Sequence, residues 1–247
     1  MREPELVRRA KTGELNHKGT KAQRTQKIDP LRVSVPLWLR VPSLGQRGFM
    51  HFTTDYRLSA TDFSARIRPA TVADAETIGR VHAQSWHETY PGIVPEDVLA
   101  RVSTDRNAAR WAERLRDPVI ASGVFVAVDD AGAVVGFAQG GPQRDGIPGY
   151  TGELYALYIL RAAQGRGVGR LLVQAVMVWL ATQGHTAMLV WVLAANAPAR
   201  RFYERLGGQY MTTKQTVIGI PLEEAAYGWS DIQSQSLGTD SSPGTYS

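Results

Sequence analysis

The chain has 247 residues, with 28 Lys plus Arg against 23 Asp plus Glu and a net charge of +5. The excess sits at one end: residues 1–65 carry net +6 and residues 66–247 net −1. This argues against a nucleic-acid-binding body and leaves a basic arm open. There is no Cys, which excludes disulfides, thiolate metal sites and a Cys nucleophile. No long apolar run and no N-terminal apolar h-region are present, so a cytoplasmic protein without a membrane span is expected.

Residues 1–27 are polar and basic, a composition that predicts disorder. Between 28 and 65 the apolar residues are broken by Pro30, Pro36 and Pro42, against a helix or a central strand. A disordered leader, a partner-binding arm, and a translated stretch ahead of a start at Met50 all fit this segment. We expect residues 1–65 to be an extension, 66–230 one domain and 231–247 a flexible tail.

Arg66–Pro69 reads as an opening strand. Thr71 with Asp74 and Glu76 resembles a helix N-terminus, and Ile78, Val81, His82 and Ser85 step at helical spacing. Pro91-Gly92 breaks this helix. A second follows Pro95, with Ala108, Trp111, Ala112 and Leu115 on one face, and stops at Pro118. Val124–Val128 and Ala133–Ala138 flank a turn and predict a hairpin. A Gly- and Pro-containing loop, 140–152, leads to a strand over 153–160, whose alternation places Glu153, Tyr155, Leu157 and Ile159 on one face. Then come an apolar helix over 171–181, a buried strand over 187–193, a helix over 197–206 stopped by Gly207-Gly208, and strands near 217–220 and 225–229. This order predicts an α/β fold on a mixed sheet.

The informative motif is Gln164-Gly165-Arg166-Gly167-Val168-Gly169-Arg170, between a strand and a helix. A glycine turn there exposes backbone N–H groups at the positive end of a helix, a geometry that binds phosphate. A dinucleotide fingerprint would need Gly where Arg170 stands, and no acid follows before Tyr203. The Walker pattern would need a Lys that is absent. Gln164, Gly167 and Gly169 fit Q/R-x-x-G-x-G/A. With the preceding strand and Asn196…Tyr203, the chain from about Ile67 to Trp229 resembles the GNAT superfamily of acyl-CoA-dependent N-acyltransferases.

That resemblance implies a mostly antiparallel mixed sheet, splayed at two parallel central strands and flanked by helices. It implies acetyl-CoA as acyl donor, its pyrophosphate held by backbone N–H groups from Gln164 to Arg170 (Gln164, Gly165, Arg166, Gly167, Val168, Gly169, Arg170). Arg166 and Arg170 add charge, and pantetheine lies along backbone groups of Leu157 and Ile159. Asn196 caps the following helix and can reach the cofactor. The resemblance further implies direct attack by a primary amine in a ternary complex, Glu153 as general base (directly or through water) and Tyr203 as proton donor to the thiolate. Tyr155 and Tyr158 are candidate helpers, though sheet-core aromatics serve as well. Trp86, His87 and Tyr90, with Glu88, are candidates for the acceptor side, a small molecule or peptide amine. A homodimer is compatible with the resemblance, which leaves oligomeric state open, and neither membrane nor nucleic acid is an expected partner. Gly208 stands where the family commonly has an aromatic. A non-catalytic acyl-CoA-binding regulatory module is the alternative.

Overall fold

The computed structural model describes residues 56–60 and 63–236; the expectations for 1–55 and for 237–247 lie outside them. One eight-stranded sheet runs in the order β1-β2-β3-β4-β5-β6-β8-β7. Its strands are β1 (Tyr56–Ala60), β2 (Phe63–Pro69), β3 (Val124–Asp129), β4 (Val134–Pro142), β5 (Gly152–Ile159), β6 (Met188–Leu193), β7 (Gln209–Ile218) and β8 (Ile220–Trp229). Only β5 and β6 pair in parallel; all other neighbours are antiparallel. The main helices are α1 (Ala75–Thr89), α3 (Thr104–Arg116), α5 (Val168–Thr182) and α6 (Ala197–Arg205). Short pieces are α2 (Glu96–Leu99), α4 (Pro118–Ala121) and α7 (Ile232–Ser236).

The helices cover both faces of the sheet. On one, Leu171, Leu172, Val176 and Leu180 of α5 pack on Ala127, Val135, Leu154 and Val190. On the other, Ile78 and Val81 of α1 and Trp111 and Leu115 of α3 pack on Val124, Val126 and Phe137. The periodicities seen in the sequence are these two buried stripes. Arg68 holds Asp74 with two hydrogen bonds of 2.8 and 2.7 Å, fixing the start of α1 against β2.

Three boundaries differ from expectation. Among the described residues the sheet begins at Tyr56, because β1 pairs with β2 from Tyr56↔Ile67 to Ala60↔Phe63, so it takes in residues assigned to the extension. Ile232 is fully buried in the α5 cluster, so ordered structure runs past Ser230. The last hairpin turns at Gly219, with φ 78° and Ile218 facing Ile220. A strand over 217–220 is thereby replaced by two ten-residue strands.

Candidate active site

The pairing of β5 with β6 covers Gly152↔Met188, Glu153↔Leu189 and Leu154↔Val190 and goes no further. Both strands continue, β5 to Ile159 and β6 to Leu193, so a gap opens inside the sheet. Leu160 donates its N–H to Val135 of β4. By the alternation of an antiparallel ladder, the amides of Ile159 and Leu157 therefore point the other way, into the gap. An unpaired sheet edge needs a partner, and an amide-bearing chain supplies one. One of these groups is already used: the Ile159 carbonyl accepts from Gln164 Nε2 at 2.9 Å.

The glycine turn lies at the open end. Gly165 (φ 73°) and Gly167 (φ 83°) both occupy the left-handed region, where side chains with a Cβ are strained. Gly167 caps α5 without a side chain, and no acid occupies the first turn. The leading N–H groups of α5 are thus available to an anion, with Arg166 and Arg170 exposed beside them. Gly169 has a different reason: a Cβ there would meet Ile159 Cδ1 and Phe202 Cζ at 3.0 Å, so it lets α5 approach β5 and α6. These residues fit a phosphate-bearing thioester cosubstrate: an anion cradle at the helix start, continuous with a strand-shaped slot.

Tyr203 stands on α6, buried beside Phe202, Tyr227 and Trp229. Asn196 Oδ1 accepts from the Ala199 N–H at 3.2 Å, capping that helix as expected. Burial pushes the Tyr203 phenol well above its ordinary range, and the nearby Tyr158 adds to this. The missing aromatic at Gly208 is supplied from elsewhere. A Cβ there would lie 2.7 Å from Trp229 Cζ2, so the Trp229 indole fills that space.

Glu153 is not on the face expected. Gln139 pairs with Ala156, and its neighbour Gly140 with Leu154, so Tyr155 is the extra residue of a β-bulge. Leu154, Leu157 and Ile159 all pack on the α5 side, whereas Ala156, Tyr158 and Leu160 pack on the α1 side. Simple alternation cannot place 154 and 157 together; the bulge does. Glu153, adjacent to Leu154, therefore faces away from Leu157 and Ile159. Its carboxylate is fully buried and held by Arg144 of the β4–β5 loop. Oε2 accepts from Arg144 N at 3.2 Å and Nε at 3.1 Å, and Oε1 accepts from Nη2. Burial raises the Glu153 carboxyl above the usual range, against the pull of Arg144. The Arg144 guanidinium lies 4.0 Å from the centre of the Tyr155 ring, and Tyr155 donates to the Pro142 carbonyl at 2.5 Å. Tyr155 thus belongs to the loop's anchor.

The acceptor side is aromatic. Trp86 is fully buried and donates Nε1–H to Tyr158 Oη at 3.1 Å. Tyr90 lies edge-on to Trp86 at 4.9 Å, in the same cluster as Tyr158. Burial pushes the Tyr158 phenol up to about 12. The structure takes His87 and Glu88 away from this wall. His87 is exposed, with Nε2 3.1 Å from the Val102 carbonyl. Glu88 accepts from the Arg161 N–H at 2.9 Å, tying α1 to the turn before the glycine cluster.

Sequence reasoning passed over Glu224 of β8. It is 1% exposed, pairs across with Leu193, and therefore faces the α1 side at the open end of β6. Lys214 of β7 stands opposite it, with Nζ 3.8 Å from Oε2, 2.6 Å from Asp145 Oδ2 and 4.0 Å from the centre of the Trp191 ring. The available signal was Glu224 at the head of the apolar run Ala225–Trp229.

A sheet parted at one parallel seam, with a glycine-capped helix at its mouth, defines a transferase that draws on an acyl-CoA. A model of the acetyltransferase (GNAT) family matches residues 84–208. The uncharacterized N-acetyltransferase YuaI of Bacillus subtilis (strain 168) is 36% identical over 167 residues, covering 67% of this chain and 93% of the relative. The chain belongs to the GNAT family of acetyltransferases. A mycothiol acetyltransferase of Mycobacteroides abscessus is 35% identical over 147 residues, 59% of this chain but 42% of that protein. This chain thus spans less than half the length of that relative. Among solved structures, an N-acetyltransferase from Staphylococcus aureus Mu50 superposes with a TM-score of 0.53 at 22% identity, covering 68% of this chain and 99% of that one. YncA of Salmonella typhimurium, solved with acetyl-CoA, gives 0.51 at 23%, covering 74% and 99%. Both share the fold. Among the described residues, no helix is long and apolar enough to cross a membrane, and no cluster of His, Asp or Glu could hold a metal.

Proposed function

We propose that this chain acetylates a primary amine, of a small molecule or a peptide, by direct attack in a ternary complex. The observation that carries the reading is the seam that ends at Leu154↔Val190 and opens between the glycine turn and the aromatic wall. Backbone groups of Leu157 and Ile159 hold pantetheine, and the N–H groups at the start of α5, with Arg166 and Arg170, hold the pyrophosphate. The amine approaches from the side of Trp86 and Tyr90. Tyr203 keeps its proton at all working pH values, since burial raises it. It stabilises charge growing on sulfur by donating a hydrogen bond. The same dry surroundings raise the thiolate's own proton affinity, which lets it take that proton. Glu153 is the weaker half of the expected pair. With both oxygens on Arg144, it anchors the loop, and it serves as base only if Arg144 lets go.

The transferase domain in this reading runs from Tyr56 to Ser236. A homodimer would use the exposed face of the β7–β8 hairpin carrying Tyr210 and Val217, and sedimentation at micromolar concentration tests it. Thiol release from acetyl-CoA, measured over a panel of amines, tests the activity; the Cys-free chain gives no background. Saturable acetyl-CoA binding with no turnover on any amine would support the regulatory alternative.

A further inference from the structure

We propose that Glu224 is the acceptor-side proton acceptor, and that the site it closes takes a cationic primary amine as its ammonium ion. The inference rests on the transferase reading and names its substrate class. Glu224 Oε1 is buried and has no hydrogen-bond partner. Its other oxygen faces Lys214 at 3.8 Å, beyond hydrogen-bond reach, because Lys214 is committed to Asp145. A buried carboxylate in this state lacks most of what it needs, and an ammonium with three donors supplies it.

The surroundings suit such a guest. Leu193, across from Glu224, and Leu222, two residues before it, belong to the same cluster as Trp86, Tyr90 and Tyr158, and aromatic rings attract cations. The charged and titratable groups that face Glu224 come from several elements packed around it. Lys214 comes from β7, Arg144 and Asp145 from the loop, and Glu153 and Tyr158 from β5, while Tyr90 ends α1. Burial, with Asp145 and Glu153 assisting and Lys214 opposing, raises the Glu224 carboxyl toward the range of a working base. Glu153 has no comparable vacancy, since Arg144 fills both its oxygens.

The step balances. The ammonium gives one proton to Glu224 and becomes a neutral nucleophile. Nitrogen bonds to the thioester carbonyl carbon, and the C–S bond breaks with its electron pair on sulfur. Sulfur takes the Tyr203 proton, which Tyr203 recovers from the second proton leaving nitrogen. Glu224 then releases its proton to solvent, so one proton appears per acetyl group transferred.

The test uses the full chain and Glu224→Gln, with Glu153→Gln as comparison. With any amine the wild type acetylates, Glu224→Gln should lower kcat/KM for the amine at least 100-fold at pH 7.5. Acetyl-CoA affinity should stay within about twofold, and much of the loss should return at pH 10, where a far larger share of the amine is already neutral. A merely structural role would give no such recovery. Unchanged kcat/KM, or a loss of equal size in acetyl-CoA affinity, overturns the proposal. A second readout needs no turnover: the 13C carboxyl signal of Glu224, assigned by its absence in the variant, should shift on adding 1,5-diaminopentane with CoA present. If no amine is acetylated but this shift occurs, the ammonium site stands and the transferase reading fails. If the signal does not respond, the ammonium site is wrong.

Discussion

Replacing Arg144 with Met should turn the Glu153 anchor into a liability whose size depends on pH. Glu153 is fully buried and Arg144 supplies its charge partner. Removing one partner of a buried ion pair costs about 3–5 kcal/mol. Two lost charge-assisted hydrogen bonds, at about 1.5–3 kcal/mol each, give an overlapping range of about 3–6 kcal/mol. The Glu153 carboxyl already titrates above its ordinary value, and Arg144 holds it down, so the variant raises it further. For a carboxyl with a raised folded-state pKa, stability is full below the unfolded value and is lost as pH rises through the folded one. Each unit in that window is worth up to about 1.4 kcal/mol. The variant should therefore lose about 3–5 kcal/mol at pH 8, and roughly 1–2 kcal/mol less at pH 5. Urea unfolding followed by tryptophan fluorescence at both pH values measures this. The double variant Arg144→Met with Glu153→Gln should remove the pH dependence. A loss below about 1 kcal/mol, or one equal at both pH values, would refute the account of Glu153 as a buried ionised anchor.

Tyr203→Phe should lower kcat about 100-fold with little change in the acetyl-CoA KM, and steady-state kinetics with saturating amine reads this directly. An equal loss on both parameters would instead mean that the phenol serves binding. Gly167→Ala forces a side chain at φ 83° and strains the turn by about 1–2 kcal/mol, so calorimetry should find acetyl-CoA bound about 5–30-fold more weakly. Unaltered affinity would remove the turn from the site. His82 is buried and its imidazole is lowered to about 3, mainly by burial. The unfolded chain takes that proton near pH 6.5, so stability falls with pH below about 6.5, by up to about 1.4 kcal/mol per unit. His82→Asn should flatten this slope, and an unchanged slope would place the titrating group elsewhere.

The elements that show in the sequence are those whose pattern is local. The α5 stripe, the β3–β4 hairpin and the glycine turn each follow from spacing within about fifteen residues, and all stand where expected. The misses come from distant partners. The bulge at Tyr155 arises from the register of β4 against β5, and strand alternation within β5 carries no trace of it. It moved Glu153 off the face of Leu157 and Ile159. His87 and Glu88 sit in a segment rich in polar side chains, and only packing reveals that their partners are Val102 and Arg161. Glu224 and Lys214 became a pair because β7 and β8 fold back at Gly219. Asn196 was legible because helix capping is a property of neighbouring residues.

The three-residue seam has a mechanical meaning. Strands β1–β5 form one ribbon and β6–β8 another, stitched together through Gly152–Leu154 and Met188–Val190. Above those stitches no strand pairing joins the two ribbons. A molecule lying in the slot and bonded to β5 would act as a wedge that also clamps. Amide hydrogens along 157–159 and 191–193 should then exchange more slowly once acetyl-CoA is present, and the cosubstrate becomes a temporary ninth strand of the sheet.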